Sequence, residues 1–286
     1  TGAARLLDID VVPVPEGDDG LDPETVARVA ATVRASGRRP RALYVVPDFA
    51  NPSGASMAAT NRRRLLDVAG EQDLLVIEDN PYGFFTRDDV LRPTLKSLDT
   101  ERTVVYLGSF AKTCFPGARL GYVLADQQVT GPTGESTLLA DQLAKIKSMT
   151  TVNTPSLSQA VIGGMMVVND CRLREANRDT IGFYRANMDR MLAELDRHFP
   201  VGSGVRWNSP GGGFFVVVTV PFVADEAALD RSAREYGVLW TPMAPFYPDG
   251  GGQHQLRLSC SYVTPAALVD GMARLAAFIN DQAGPR

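Results

Sequence analysis

Residues 108–119 read GSFAKTCFPGAR and follow directly on TVVYL, residues 103–107. TVVYL has the β-branched and aromatic composition of a strand. It empties into Ser109 and Lys112 and then, past a Pro-Gly turn, into Arg119. Two earlier apolar runs end the same way. ALYVVPD leads into Asn51 of NPSG, and DLLVIED ends on Asp79, with Tyr82 three residues further on. Between the runs lie segments with helical periodicity. In LDPETVARVAATVRASG, Asp22 can cap, Pro23 can open and Gly37 can close a helix, and MAATNRRRLLDVAGEQ reads as a second helix. Mostly continuous apolar strands alternating with helices predict an α/β fold on a mainly parallel sheet covered on both faces. Ligands of such sheets bind outside the carboxyl ends of the strands. Three successive strand ends carrying polar groups therefore mark a candidate site.

Working outward, DIDVVPVP reads as a short strand ahead of the first helix and ARLGYVLA as a strand after Arg119. Residues 131–149 read as helical, as does VNTPSLSQAVIGGMMVVN, and 171–200 form a long amphipathic stretch. The expected division is a partial large domain over 1–170 and a smaller α/β domain over 171–286. In the second unit, GVRWNSPGGGFFVVVTVP and GVLWTPMAPFYPDGGGQHQLRLSCSYV are strand-forming, with the helix ADEAALDRSAREYG between them and a last helix capped by Thr264.

At 286 residues the chain can bury the cores of two domains. A net charge of -4 with no Lys/Arg block gives no footing for nucleic acid as a partner. No apolar run reaches the length of a membrane span, and the first residues lack a signal-peptide pattern. Cys114, Cys171 and Cys260 are odd in number and dispersed, and the chain has 2 histidines. This pattern argues against a disulfide framework or a zinc site and predicts a cytoplasmic setting.

The polar strand ends suit one kind of ligand. A neutral lysine amine at 112 can form an imine with an aldehyde. Asp79 can meet a protonated ring nitrogen, Tyr82 and Asn51 can hydrogen-bond a ring oxygen, and Ser109 and Arg119 can hold phosphate. Taken singly, Asn51 is also what a turn before proline shows, Asp79 what a loop cap shows, and Lys112 what a solvated surface shows. Taken together they fit pyridoxal 5'-phosphate, an electron sink for carbanions at an α carbon.

Across essentially its whole length the chain resembles the fold-type I, class I/II aminotransferases. It is most similar to the branch of 2-aminoadipate and aromatic aminotransferases, which also includes the aminotransferase-like domains of MocR-type regulators. The motifs that carry the resemblance are VVPVP, ALYVVPDFANPSG, RRRLLDVA, VIEDNPYG, VVYLGSFAKT with PGARLGY, SPGGGFF and QLRLSCSY. It implies that Lys112 bonds the cofactor and later moves the α proton. It further implies that Asp79 pairs with the pyridine nitrogen, that Tyr82 and Asn51 contact the ring oxygen, and that Ser109 and Arg119 take the phosphate. Arg257 of LRLS resembles the arginine that clamps the substrate α-carboxylate, although its alternation between Leu256 and Leu258 fits a solvent-facing strand arginine equally well. Ala111 stands where many relatives have serine, and Cys114 and Phe115 read as packing beside the site.

The resemblance also implies a homodimer acting on an amino acid and a 2-keto acid, with a mild preference for aromatic or arylglycine side chains. Relatives begin with an arm and further large-domain strands, so the chain reads as a fragment that needs an N-terminal portion. The shared ring-holding residues leave other outcomes open: decarboxylation, elimination or cyclisation on the same cofactor, or a sensing domain of a transcription regulator.

Overall fold

The computed structural model describes residues 4, 6–248 and 250–284. Two four-stranded sheets organise them. The first contains β3 (Ala42–Val45), β4 (Leu75–Asp79), β5 (Val104–Ser109) and β6 (Gly121–Leu124), in that order. β3, β4 and β5 run parallel, and β6 returns antiparallel to β5 through the loop that carries Lys112. A small hairpin, β1 (Glu16–Gly17) with β2 (Gly20–Leu21), precedes this sheet.

Helices α1 (Pro23–Ala35) and α2 (Ala59–Glu71) supply the crossover layer. Asp22 caps α1 by accepting from the Thr25 N–H at 3.0 Å, as the sequence predicts. Val26 and Ala30 of α1 and Leu65 and Val68 of α2 pack on Leu43, Val45, Val76 and Val104 of the sheet. Burial in β3 alternates strictly between exposed and buried positions. One face of the sheet is covered among the described residues; the opposite face is covered only in part, with Val105 buried but Tyr44 59% exposed. The expectation of cover on both faces is corrected to that extent.

Two further expectations are corrected. DIDVVPVP is not a strand: residues 9–15 have no regular structure and are mostly exposed. Its two prolines lack the N–H that a ladder needs. Residues 131–149 do not start as a helix. β7 (Gln128–Thr130) and β8 (Ser136–Leu138) pair as a hairpin, and the helix α4 begins only at Leu139 (Leu139–Thr151). Gly134, with φ +87°, turns the hairpin in a conformation that an L residue avoids.

After a short α3 (Leu95–Leu98) ahead of β5, and α5 (Ser156–Val168) after α4, the chain reaches α6 (Leu173–Ala176). The division expected between residues 170 and 171 falls in the loop between α5 and α6. α7 (Arg178–His198) leads to the second sheet, with strand order β11 (Thr241–Pro242), β12 (Gln255–Ser259), β10 (Phe215–Thr219), β9 (Arg206–Trp207), all antiparallel. α8 (Glu226–Arg231) lies between β10 and β11, and α9 (Pro265–Ala283) closes the chain, capped by Thr264. Met188, Met191 and Leu195 of α7 and Leu268, Met272 and Leu275 of α9 pack on Val216, Val218, Leu256 and Leu258. The same core reaches Phe49, Tyr82 and Phe85 of the first unit. The two sheets thus meet beside the strand ends.

No helix among the described residues is long and apolar enough to cross a membrane. All three cysteines are free.

Candidate active site

The residues meet at the carboxyl ends of β3, β4 and β5. Asp79 is the last residue of β4, and its neighbour in register on β5 is Leu107. Ser109, two residues further, faces the same side of the sheet, because side chains repeat with a period of two. Asp79 is half-buried and accepts a hydrogen bond from the hydroxyl of Tyr44 on β3. Three residues past Asp79, the buried Tyr82 ring packs edge-on against Phe214 and Phe215, at centroid distances of 5.4 and 5.9 Å. Burial, and then the Asp79 carboxylate, raise its phenol above the ordinary range.

Asn51 bridges the two units. Its side chain lies close enough to Tyr82 to work against the rise of that phenol, and its Oδ1 accepts from the Arg257 guanidinium. The Asn51-Pro52 bond is cis. The turn is closed by the Gly54 N–H donating to the Ala50 carbonyl. Gly54 sits at φ +72°, and a Cβ there would lie 2.9 Å from the Phe215 carbonyl oxygen of β10, so only glycine lets the turn come this close. The turn is held from behind by Arg62 of α2, which is fully buried. Arg62 pairs with Asp48 and also donates to the carbonyls of Pro47, Met57 and Pro93. Asp48 further accepts from Asn80 Nδ2 at 2.9 Å, which ties the turn to the loop between Asp79 and Tyr82.

Arg257 lies on β12 between the inward Leu256 and Leu258, on the face shared with Val217 and Phe215. Its guanidinium sits 4.3 Å over the Phe215 ring and 5.7 Å from the Phe246 ring, and it donates to Thr241 Oγ1 at 3.2 Å. Its Nε is buried without a partner. No described carboxylate forms an ion pair with it. Stacking on aromatic rings orients the planar fork and leaves its charge available to an incoming anion. The solvent-facing alternative left open by the sequence pattern does not hold.

Lys112 stands in the turn after β5, which is closed by the Cys114 N–H donating to the Phe110 carbonyl at 2.9 Å. Its Nζ is 5.5 Å from the centroid of the Phe214 ring, the ring that also touches Tyr82. Ser109 pairs with Gly121 in register, and the Phe110 N–H donates to the Leu120 carbonyl. This pairing returns Arg119 to the loop that holds Lys112. Arg119 is exposed, in the left-handed region at φ 49°, after a turn of 3-10 helix at Pro116–Ala118. Among the described residues, neither Lys112 nor Arg119 has an acidic partner. Ser109 Oγ accepts from the Ala111 N–H at 3.2 Å, so its own proton is free to donate. Cys114 packs against Phe110, Ala118 and Ile162, as expected, but Phe115 is 50% exposed.

The sequence-predicted residues thus form two connected groups. Asp79, Tyr82, Asn51 and Arg257 are linked by hydrogen bonds and charge, and Lys112 joins them through Phe214. Ser109 and Arg119 flank Lys112 without touching the first group. Tyr44, Thr241 and the Arg62–Asp48 pair were not anticipated. Tyr44 had a weak signal, as the one polar-tipped residue in an otherwise apolar run. Thr241 had none, because its place depends on the register of β11 with β12.

An amine, a carboxylate beside phenols, and a serine with an unpaired cation suit an aldehyde-bearing, phosphorylated, protonatable ring. The donor set therefore fits pyridoxal 5'-phosphate, the cofactor of the class of proteins that this fold and site define.

The sequence matches the family Aminotransferase class I and II over residues 2–275, and the chain belongs to that family. It is 50% identical over 280 residues to an (S)-3,5-dihydroxyphenylglycine transaminase of Amycolatopsis orientalis, covering 98% of this chain and 63% of that protein. A 2-aminoadipate transaminase of Thermus thermophilus is 31% identical, with 96% and 64% covered. Among solved structures, a kynurenine aminotransferase of Pyrococcus horikoshii superposes with a TM-score of 0.83 at 30% identity, over 96% of this chain and 64% of that one. The chain therefore spans somewhat under two thirds of the curated relatives it matches.

Proposed function

We propose that the protein transfers an amino group between an L-amino acid of aromatic or arylglycine type and a 2-keto acid, using pyridoxal phosphate. The observation that carries this reading is the approach of Lys112 and Arg257 to one aromatic cluster, Tyr82, Phe214 and Phe215, from opposite units. A half-identical relative that is an arylglycine transaminase supports the substrate class. When bound, the cofactor supplies a bonding site for the amino group and a sink for the electrons of the α carbon. Lys112 takes the α proton and returns it. Asp79 would hold the ring nitrogen, Tyr82 and Asn51 the ring oxygen, and Ser109 with Arg119 the phosphate. Arg257 takes the substrate carboxylate through its fork and so aims the α proton at Lys112. We further propose a homodimer in the cytoplasm, a setting consistent with three free cysteines.

The test is a panel of amino acids offered with pyridoxal phosphate and a 2-keto acid, with the product keto acid measured. Phenylglycine-type and aromatic donors are expected to react fastest. Carbon dioxide or ammonia released without amino transfer would replace this reading with another reaction on the same cofactor.

Arg257→Ala is expected to raise the KM for the amino acid about 100-fold, the loss of a bidentate charged contact in a half-buried site. Arg257→Lys should recover only part of it, because an ammonium lacks the fork. An unchanged KM in the alanine variant would remove Arg257 from the substrate site.

A further inference from the structure

We infer that Tyr44 is a positioning residue for Asp79: its phenol holds one carboxylate oxygen so that the other is presented to the ring nitrogen of the cofactor. The inference rests on the function proposed above. Tyr44 lies on β3, opposite Ile77 of β4 in register, and so on the face of the sheet that carries Asp79. Its hydroxyl donates to Asp79 Oδ2. No described residue donates to Asp79 Oδ1. A carboxylate at a strand end, free to rotate about its terminal bond, would share itself between the ring nitrogen and water. One short tether to a neighbouring strand removes that freedom and leaves a single acceptor facing the site.

The surroundings of Tyr44 agree with this geometry. Its phenol is held well above the ordinary range, first by partial burial and then by the Asp79 carboxylate as acceptor and as charge. Tyr82 is the other titratable group that acts on it, and Tyr82 is linked in turn through Asn51 to Arg257. The tyrosine therefore remains a donor across the pH range in which the reaction would run.

The experiment is a double-mutant cycle read out as the dissociation constant of pyridoxal phosphate, using the unaltered protein, Tyr44→Phe, Asp79→Asn and the double variant. Tyr44→Phe is expected to weaken cofactor binding about ten-fold, the scale of one hydrogen bond to a charged group. In the Asp79→Asn background the same change should weaken it less than two-fold. Equal losses in both backgrounds, or no loss in either, would overturn the positioning role. A second readout needs no cofactor. With 13C-labelled tyrosine, Asp79→Asn should move the titration of Tyr44 down toward that of an ordinary phenol, and an unmoved titration would overturn the hydrogen bond itself. If the Tyr44 titration behaves as expected but the unaltered protein fails to bind pyridoxal phosphate, the cofactor assignment falls, and the positioning role with it. The two failures are thereby told apart.

Discussion

Lys112→Ala is expected to reduce turnover by about ten-thousand-fold or more, at or beyond the upper range for one positioned proton-transfer group. The loss should exceed that of any neighbour, because the same amine both bonds the cofactor and moves the proton. The chain has only 4 lysines, Lys96, Lys112, Lys145 and Lys147, which makes the chemistry easy to localise. Lys96 is engaged by Asp99 and Asp126, and Lys145 and Lys147 lie on α4 rather than on a strand-end loop. Borohydride treatment after incubation with pyridoxal phosphate should therefore label the peptide containing Lys112, and mass spectrometry should find that label gone in Lys112→Ala. Asp79→Ala should retain the label yet lose most of the rate. A Lys112→Ala protein with full turnover would end the assignment.

The second large effect is on stability. Arg62→Ala leaves the Asp48 carboxylate buried without its cation and removes the side-chain donor from the carbonyls of Pro47, Met57 and Pro93. Breaking a buried pair in this way costs about 3–5 kcal/mol. For a domain of this size that corresponds to a fall in Tm of about 10 °C. Replacing both partners, as Arg62→Met with Asp48→Leu, should cost less than the single change, since no lone charge is then buried. Thermal unfolding of the two variants checks this. A single variant within about 3 °C of the parent would show that the pair is not what holds the turn.

Much of this site was legible because it follows from strand ends. Asn51, Asp79, Ser109 and Lys112 stand where apolar runs stop, and a parallel sheet brings consecutive stops together. Arg257 is different. Its alternation with leucines fixes only that it points away from the second core, and its place over Phe215 depends on how two sheets meet. The Arg62–Asp48 pair was hidden for a similar reason, since the helical pattern of residues 57–72 does not say which of three consecutive arginines turns inward. Residues 8–15 and 131–138 were misread because local composition carries no information about whether a partner strand stands alongside.

The Asn51 side chain bonds the Arg257 guanidinium of the second unit and lies beside the Tyr82 phenol of the first. One amide therefore joins the group proposed to hold the cofactor ring to the group proposed to hold the substrate carboxylate. A substrate carboxylate taken up by Arg257 would therefore lie beside the same amide, since the guanidinium keeps further N–H groups besides the one given to Asn51. On the function proposed above, both ends of the site would share Asn51 as a neighbour, so that a change at this one amide would be felt by the ring and by the substrate carboxylate together.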